Sequence, residues 1–173
     1  METVSFMHRL GTLLGLVLLQ VLFLNRIALF GYVTPLLYIW MIARFESSMT
    51  RSAILLWSFF LGLLIDMFSG TPGLNAASAT LLGMFQPALV KLFVPLDRHD
   101  ALVPGSVSMG GRQFAGYLLL ITALHHTVFF ILLSIPLGDW QVLALKVVFS
   151  TILTFVFMFV MEHVLVNSGP KRS

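Results

Sequence analysis

The chain has 173 residues, of which 58% are hydrophobic and only 10% are charged. A soluble domain carries about 25% charged residues, and a soluble fold of this size could not bury so much apolar surface. The net charge of +3 does not indicate nucleic-acid binding, because the basic residues are scattered between apolar runs rather than gathered in a patch. The composition therefore predicts an integral membrane protein, and the absence of cysteine excludes disulfides and thiolate chemistry.

The apolar runs, taken in chain order, predict six transmembrane helices, because a helix needs roughly 20 mostly apolar residues to cross a bilayer. The first run reads as a retained helix rather than a cleavable signal, since Asn25 and Arg26 follow it where small residues should precede a cleavage site. The second run is the shortest, and Pro35 suits its first turn. The predicted helices cover residues 10–24, 34–43, 52–68, 74–94, 112–135 and 140–166.

Polar breaks of different lengths separate these runs. Residues 69–73, with the sequence SGTPG, form a turn signal between the third and fourth helices. Pro87 lies inside the fourth helix and is expected to kink it. Residues 95–111 form the longest polar loop, and no linker divides the chain. Residues 1–173 are therefore expected to form a single all-α membrane domain.

The distribution of basic residues predicts that both chain ends lie in the cytoplasm. Six spans with an inside N-terminus leave only Arg26 and Lys146 in outside segments. The inside segments then hold Arg9, Arg44, Arg51, Lys91, Arg98, Arg112, Lys171 and Arg172. This bias agrees with the positive-inside rule, whereas an odd number of spans would separate the C-terminal basic pair from Arg9.

Three stretches of the sequence form one set of motifs. The main stretch, residues 62–76, reads GLLIDMFSGTPGLNA and combines an acidic residue near a helix end with a Pro-Gly turn and a small-residue helix. Residues 30–38 read FGYVTPLLY, and residues 124–127 read LHHT. Together and in this order, these stretches resemble the MreD family of rod shape-determining proteins, in particular its Bacteroidetes-type members. The residues that carry the resemblance are Pro35, Gly62, Asp66, Ser69, Pro72, Gly73, Ala76, His125 and His126.

The resemblance implies a function that spacing alone does not reveal. Members of this family are multi-pass proteins of the bacterial inner membrane that help to organise peripheral peptidoglycan synthesis. They pair with MreC and work beside MreB, a SEDS-type glycosyltransferase and a class B transpeptidase. The family is fold-related to the six-helix substrate-binding subunits of energy-coupling-factor transporters. No enzymatic activity and no cofactor are attributed to it.

Asp66 is the most informative polar residue, because it lies two positions before the end of an otherwise apolar helix and a carboxylate in lipid should face protein or water. One interpretation is a local acceptor that pairs with Ser69 or with the Thr71 amide. A second is an interhelical latch or a contact to a partner helix, and a proton relay is a third. The small-residue face from Ala76 to Ala79 is expected to pack within the chain.

The other ionisable residues in the helices favour structural roles. His125 and His126 are adjacent, so their side chains point about 100° apart and chelate one metal poorly. A neutral, hydrogen-bonded imidazole inside the bundle is therefore expected for each. Glu162 and His163 are expected to lie at the interface near the inner end of the sixth helix.

Two other classes of function remain open. A transporter substrate-binding subunit needs a pocket near the outer face, for which the outer half offers Asn25, Arg26, Asp66, Ser69, Thr71, Asn75, Asp139 and Gln141. An intramembrane enzyme would have to combine Asp66 with His125 or His126, and a serine such as Ser134 cannot be placed beside them from sequence. The sequence contains no phosphate-binding glycine loop.

Overall fold

A computed structural model of the chain describes residues 2–26, 33–94, 102–134 and 140–168. All the regular elements in these ranges are helices. The α-helices are α1 (Glu2–Leu22), α2 (Ile39–Ala43), α3 (Arg51–Ser69), α4 (Leu74–Phe93), α5 (Ser106–Met109), α6 (Gly111–Ser134) and α7 (Trp140–Ser168), and one 3₁₀ turn covers Leu24–Arg26.

Four of these helices are long and apolar enough to cross a membrane, namely α3, α4, α6 and the part of α7 up to Val164. A shorter apolar stretch, Phe6–Leu22, makes up most of α1. The prediction of an all-helical membrane protein is thus confirmed at this level. The boundaries of the last four predicted helices differ from the observed ones by only one or two residues, as helix ends commonly do.

The two N-terminal predictions need correction. The first helix starts at Glu2 rather than at residue 10. The polar residues before residue 10 limit the apolar run, but they do not end the helix. The second predicted helix, 34–43, is helical only over Ile39–Ala43. Pro35 therefore does not lie in a first helical turn. Because a proline disfavours helical geometry in the residue before it, Thr34 and Pro35 start an irregular stretch instead.

The α3–α4 hairpin turns where the sequence predicted it. Gly70 ends α3 with a φ of 66°, and Gly73 precedes α4 with a φ of 82°. Both angles lie in the left-handed region that glycine adopts without steric cost. The Gly70 N–H donates to the Asp66 carbonyl at 3.1 Å, which closes the last turn of α3.

Small residues let α3 and α4 approach each other closely. Gly62 lies directly against the Asn75 carbonyl and the Ala76 backbone, and Gly83 lies against the Ser58 side chain. Ala76 and Ala79 are buried, so the expectation that this small-residue face packs within the chain is confirmed. Close backbone approach is a main source of helix association in lipid, where no hydrophobic effect operates between helices.

The helix ends define two ends of the bundle. The turn end contains the α3–α4 turn, the end of α6 and the start of α7. The basic end carries, within the described ranges, five cationic residues, which are Arg9, Arg44, Arg51, Lys91 and Arg112. Part of the polar loop 95–111 lies outside the described residues, and its remainder contains α5 at the basic end. Helix α4 continues through Pro87 without interruption.

The contact at Gly62 generates a prediction about stability. A Cβ atom at Gly62 would overlap the Asn75 carbonyl oxygen, so Gly62→Ala should lower the free energy of unfolding by about 1–3 kcal/mol. Gly15→Ala is the matched control, because nothing lies within 4 Å of that position and alanine favours a helix by up to about 1 kcal/mol. Thermal unfolding in detergent measures both. Equal unfolding midpoints for the two variants would contradict this packing.

Candidate functional site

The central feature of the bundle is a buried stretch of chain that is mostly not helical. We call residues 33–45 the buried segment. Eight of its apolar side chains are at most 7% exposed: Leu36, Leu37, Tyr38, Ile39, Met41, Ile42, Ala43 and Phe45. Irregular backbone at membrane depth is tolerated only where other protein groups satisfy its N–H and C=O groups. The partners of this backbone therefore decide whether the fold can exist.

Helix α1 supplies the first partner through a single glutamine. The Gln20 side chain is fully buried. Its amide nitrogen donates to the Pro35 carbonyl at 2.9 Å, and its oxygen accepts the Leu37 N–H at 2.8 Å. The same nitrogen donates to Asn25 Oδ1 at 3.0 Å. One side chain thus serves both a donor and an acceptor of the buried segment.

Helix α7 supplies two further acceptors on one face. Ser150 Oγ accepts the Thr34 N–H and Thr154 Oγ1 accepts the Leu36 N–H, each at 3.1 Å. Pro35, between them, has no N–H to satisfy. Ser150 and Thr154 are one helical turn apart, and Glu162 lies two turns further along the same buried face.

The C-terminal part of the buried segment is held by α4 and α6. The Tyr117 hydroxyl donates to the Ala43 carbonyl at 2.8 Å, and Gln86 Nε2 donates to the Phe45 carbonyl at 3.1 Å. Both side chains are buried. Side chains from α1, α4, α6 and α7 therefore replace the hydrogen bonds that a continuous helix would have made internally.

An ion pair secures the segment at the basic end. Arg44 Nη1 lies 2.6 Å from Glu162 Oε2, and Glu162 Oε1 accepts the Ser106 N–H at 3.0 Å and the Ser106 hydroxyl at 3.2 Å. Glu162 is only 2% exposed, so its carboxylate faces other protein groups. Its expected position near the membrane interface stays a prediction. A buried carboxylate needs a charged partner and further donors, and here Arg44 and Ser106 provide them.

Asp66 is both a local acceptor and an interhelical latch. Its Oδ1 accepts from the Thr71 hydroxyl at 2.9 Å and from the backbone and side-chain nitrogens of Asn75 at 3.0 and 2.9 Å. Its Oδ2 accepts the Ala76 N–H at 2.9 Å. Gly73 offers no side-chain cap to α4. The carboxylate at the end of α3 therefore caps the free N–H groups of α4 and meets the positive end of its dipole.

The partners of Asp66 differ in detail from those expected. The Thr71 hydroxyl, rather than its amide, donates to the carboxylate. The Ser69 hydroxyl is not among the hydrogen-bond donors to Asp66 but accepts the Asn25 side-chain amide at 2.6 Å, which links the chain after α1 to the end of α3.

A chain of hydrogen bonds continues from Asp66 to His125. Because Asn75 Nδ2 donates to the carboxylate, Asn75 Oδ1 faces the Tyr38 hydroxyl and accepts its proton at 2.9 Å. The Tyr38 oxygen then accepts from His125 Nε2 at 2.9 Å. This assignment leaves His125 Nδ1 without a proton, and that atom is buried without a hydrogen-bond partner among the described residues.

His126 belongs to a separate pair of contacts. Its Nδ1 donates to the Thr122 carbonyl at 2.9 Å, and its Nε2 accepts the Thr154 hydroxyl at 3.3 Å. The planes of the two imidazole rings differ by 78°, and each ring is bound to different neighbours. Both histidines are fully buried. Their contacts fit neutral imidazoles that tie α6 to the buried segment and to α7.

The structure contains a cavity at each end of the bundle. The turn-end cavity, of about 440 Å³, is lined by apolar side chains and by the polar residues Asn25, Thr34, Ser69, Thr71 and Asn75. Four other residues were named from the sequence as pocket candidates. Asp66 does not line the cavity but bonds to Thr71 and Asn75, which do, and Gln141 is exposed. The Arg26 side chain and Asp139 lie outside the described residues. The basic-end cavity, of about 300 Å³, is lined by Arg9, Arg44 and Trp40 among others.

Sequence reasoning missed the residues whose side chains form hydrogen bonds with the backbone of the buried segment. They are Gln20, Gln86, Tyr117, Ser150 and Thr154. In the sequence these residues stand out only as polar side chains within otherwise apolar runs, and Ser150 and Thr154 are also four residues apart.

The direct pairing of Asp66 with a histidine, which an intramembrane enzyme would need, is not formed at His125, since two residues separate Asp66 from His125 along the hydrogen-bond chain. Ser134 has no hydrogen bond to either histidine among the described residues.

No family model matches the chain, and no match was found among curated proteins or among solved structures.

Asp66 gives the sharpest test of this network. Asp66→Ala removes four accepted hydrogen bonds and should lower the free energy of unfolding by about 3 kcal/mol or more. Asp66→Asn keeps one oxygen but turns an amide towards a backbone N–H, so an intermediate loss of about 1–2 kcal/mol is expected.

Glu46→Gln is the matched control, because its carboxylate is 29% exposed and makes only a long contact with Arg9. Thermal unfolding in detergent should rank the control closest to the wild type, then Asp66→Asn, then Asp66→Ala. An alanine variant as stable as the control would show that the carboxylate does not hold the hairpin.

Proposed function

We propose that this protein is a non-enzymatic, multi-pass scaffold of the bacterial inner membrane, with the role that the MreD resemblance implies. In that role it would organise peripheral peptidoglycan synthesis together with MreC. MreB, a SEDS-type glycosyltransferase and a class B transpeptidase would belong to the same complex. No cofactor enters this proposal.

The observation that carries the proposal is that the main motif forms one structural unit. Gly62 admits the backbone of α4, Asp66 caps α4, and Gly70 and Gly73 turn the chain between the two helices. The motif therefore builds a braced hairpin whose turn lies at one end of the bundle. A fixed turn beside exposed Met67 and Phe68 fits a surface that meets a partner.

The proposed topology has six passes with both chain ends inside. It rests on the four long helices, the apolar part of α1 and the course of the buried segment. Thr34 bonds to Ser150 and Arg44 to Glu162, so the segment follows α7 in the same direction over about 18 Å. The basic end would face the cytoplasm under the positive-inside rule.

Cysteine crosslinking tests the scaffold proposal without background, because the chain has no cysteine of its own. Met67→Cys places a thiol near the turn end on a side chain that is 70% exposed, and Leu92→Cys places one near the basic end at 71% exposure. In cells that contain the cognate MreC, a thiol-reactive crosslinker should join MreC to the first variant and not to the second. Equal crosslinking of both variants, or of neither, would contradict the proposed partner surface.

A second candidate function is supported by the turn-end cavity. Its volume of about 440 Å³ falls in the range of small-molecule sites, and four polar residues named for a transporter subunit line it. A small molecule retained in native mass spectra of the wild type and lost from Asn25→Ala would favour this function. Retention of no molecule by the purified wild type would favour the scaffold.

A further inference from the structure

The basic-end cavity is lined by basic side chains that have no role in the proposed function. It lies between α1 and the C-terminal part of the buried segment, and Arg9 and Arg44 line it together with His8 and Trp40. Its volume of about 300 Å³ is large enough for a phosphate group and its first substituents. Two guanidinium groups on one concave surface are the usual protein partners of phosphate.

Both arginines have donors to spare. Arg44 uses Nη1 to reach Glu162, and its guanidinium carbon lies 5.1 Å from the centre of the Trp40 ring. Within the described part of the chain, Arg9 makes one side-chain hydrogen bond, from Nη2 to Glu46 at 3.5 Å. A guanidinium has five N–H donors, so most of them have no acceptor among the described residues. The position of the guanidinium over the Trp40 ring also restrains Arg44 at the cavity.

The two nearby carboxylates differ in how strongly they compete with an anion. Glu162 is fully engaged by Arg44 and Ser106 and does not line the cavity. Glu46 does line it, but its contact with Arg9 is long and both side chains are about 30% exposed. Such an exposed pair contributes little stability, less than the charge-assisted bonds that a phosphate would form.

The position of the cavity favours a lipid over a soluble anion. Helix α1, which forms one wall, carries exposed apolar side chains further along the helix from Arg9, including Leu14 and Leu18. In a bilayer these residues lie among acyl chains while Arg9 lies at the level of the headgroups. Basic pockets between helices on the cytoplasmic side are suited to anionic headgroups.

We propose that the basic-end cavity binds the phosphate group of an anionic phospholipid, with Arg9 and Arg44 as its donors. The lipid bridges α1 to the buried segment, where the direct contact between Arg9 and Glu46 is weak. The site is independent of the scaffold role and depends only on the membrane location of the chain.

Native mass spectrometry of the full chain in neutral detergent tests the site. Phosphatidylglycerol and phosphatidylcholine are titrated separately, and inorganic phosphate is added as a competitor. The variant is Arg9→Gln, and the matched control is Arg51→Gln, an exposed arginine of the same end outside the cavity. Arg44 is left intact because it also neutralises Glu162.

The wild type should bind one phosphatidylglycerol in preference to phosphatidylcholine. Arg9→Gln should weaken this binding about tenfold, the factor that corresponds to one lost charge-assisted hydrogen bond. Arg51→Gln should bind as the wild type does, and Glu46→Gln should bind more tightly. Equal binding of the two lipids, or equal loss in the two arginine variants, would overturn the proposal. Displacement of the lipid by millimolar inorganic phosphate would assign the site to a soluble anion instead.

Discussion

Satisfaction of backbone hydrogen bonds away from water is the constraint on which this structure depends. A helix meets it alone, but residues 33–38 are not helical and lie inside the bundle. Side chains from α1 and α7 take over the missing bonds, and side chains from α4 and α6 hold the end of the buried segment. In lipid, an unpaired N–H or C=O costs several kcal/mol, so the helices could not pack around this segment without those side chains. The polar residues of the core are therefore part of the fold before they are candidates for chemistry.

The same constraint explains how the polar groups are connected. Tyr38 belongs to the buried segment and bonds to both Asn75 and His125, so the segment is linked to the hairpin cap at Asp66 and to α6. Thr154 serves the backbone of Leu36 and also His126. Because Tyr38 and Thr154 each serve two partners, one substitution at either residue should disturb several elements. Such a core holds its surfaces in fixed relative positions, which is what a scaffold requires of its fold.

The sequence predicted the helices that depend on local properties and failed where tertiary contacts decide. Length and apolarity located α3, α4, α6 and α7 to within two residues, and Gly70 and Gly73 located the turn. The buried segment was predicted to be a helix, because its apolar composition fits a transmembrane helix as well as it fits a buried irregular stretch. Its irregular backbone is stabilised by Gln20 and Ser150, whose distance from it along the chain gives no local signal. Asp66 was recognised as important, but its role as the cap of another helix depends on the hairpin geometry.

Gln20 provides the most direct test of this account, because among the described residues its side chain alone serves both a carbonyl and an N–H of the irregular backbone. Gln20→Leu keeps the approximate side-chain shape and removes both bonds, whereas Gln141→Leu makes the same change at an exposed position of α7. Thermal unfolding in detergent should show a free energy of unfolding lower by about 2–4 kcal/mol for Gln20→Leu, since two buried groups lose their partners. Gln141→Leu should unfold as the wild type does. A Gln20→Leu protein as stable as the wild type would contradict the claim that side chains sustain the buried segment.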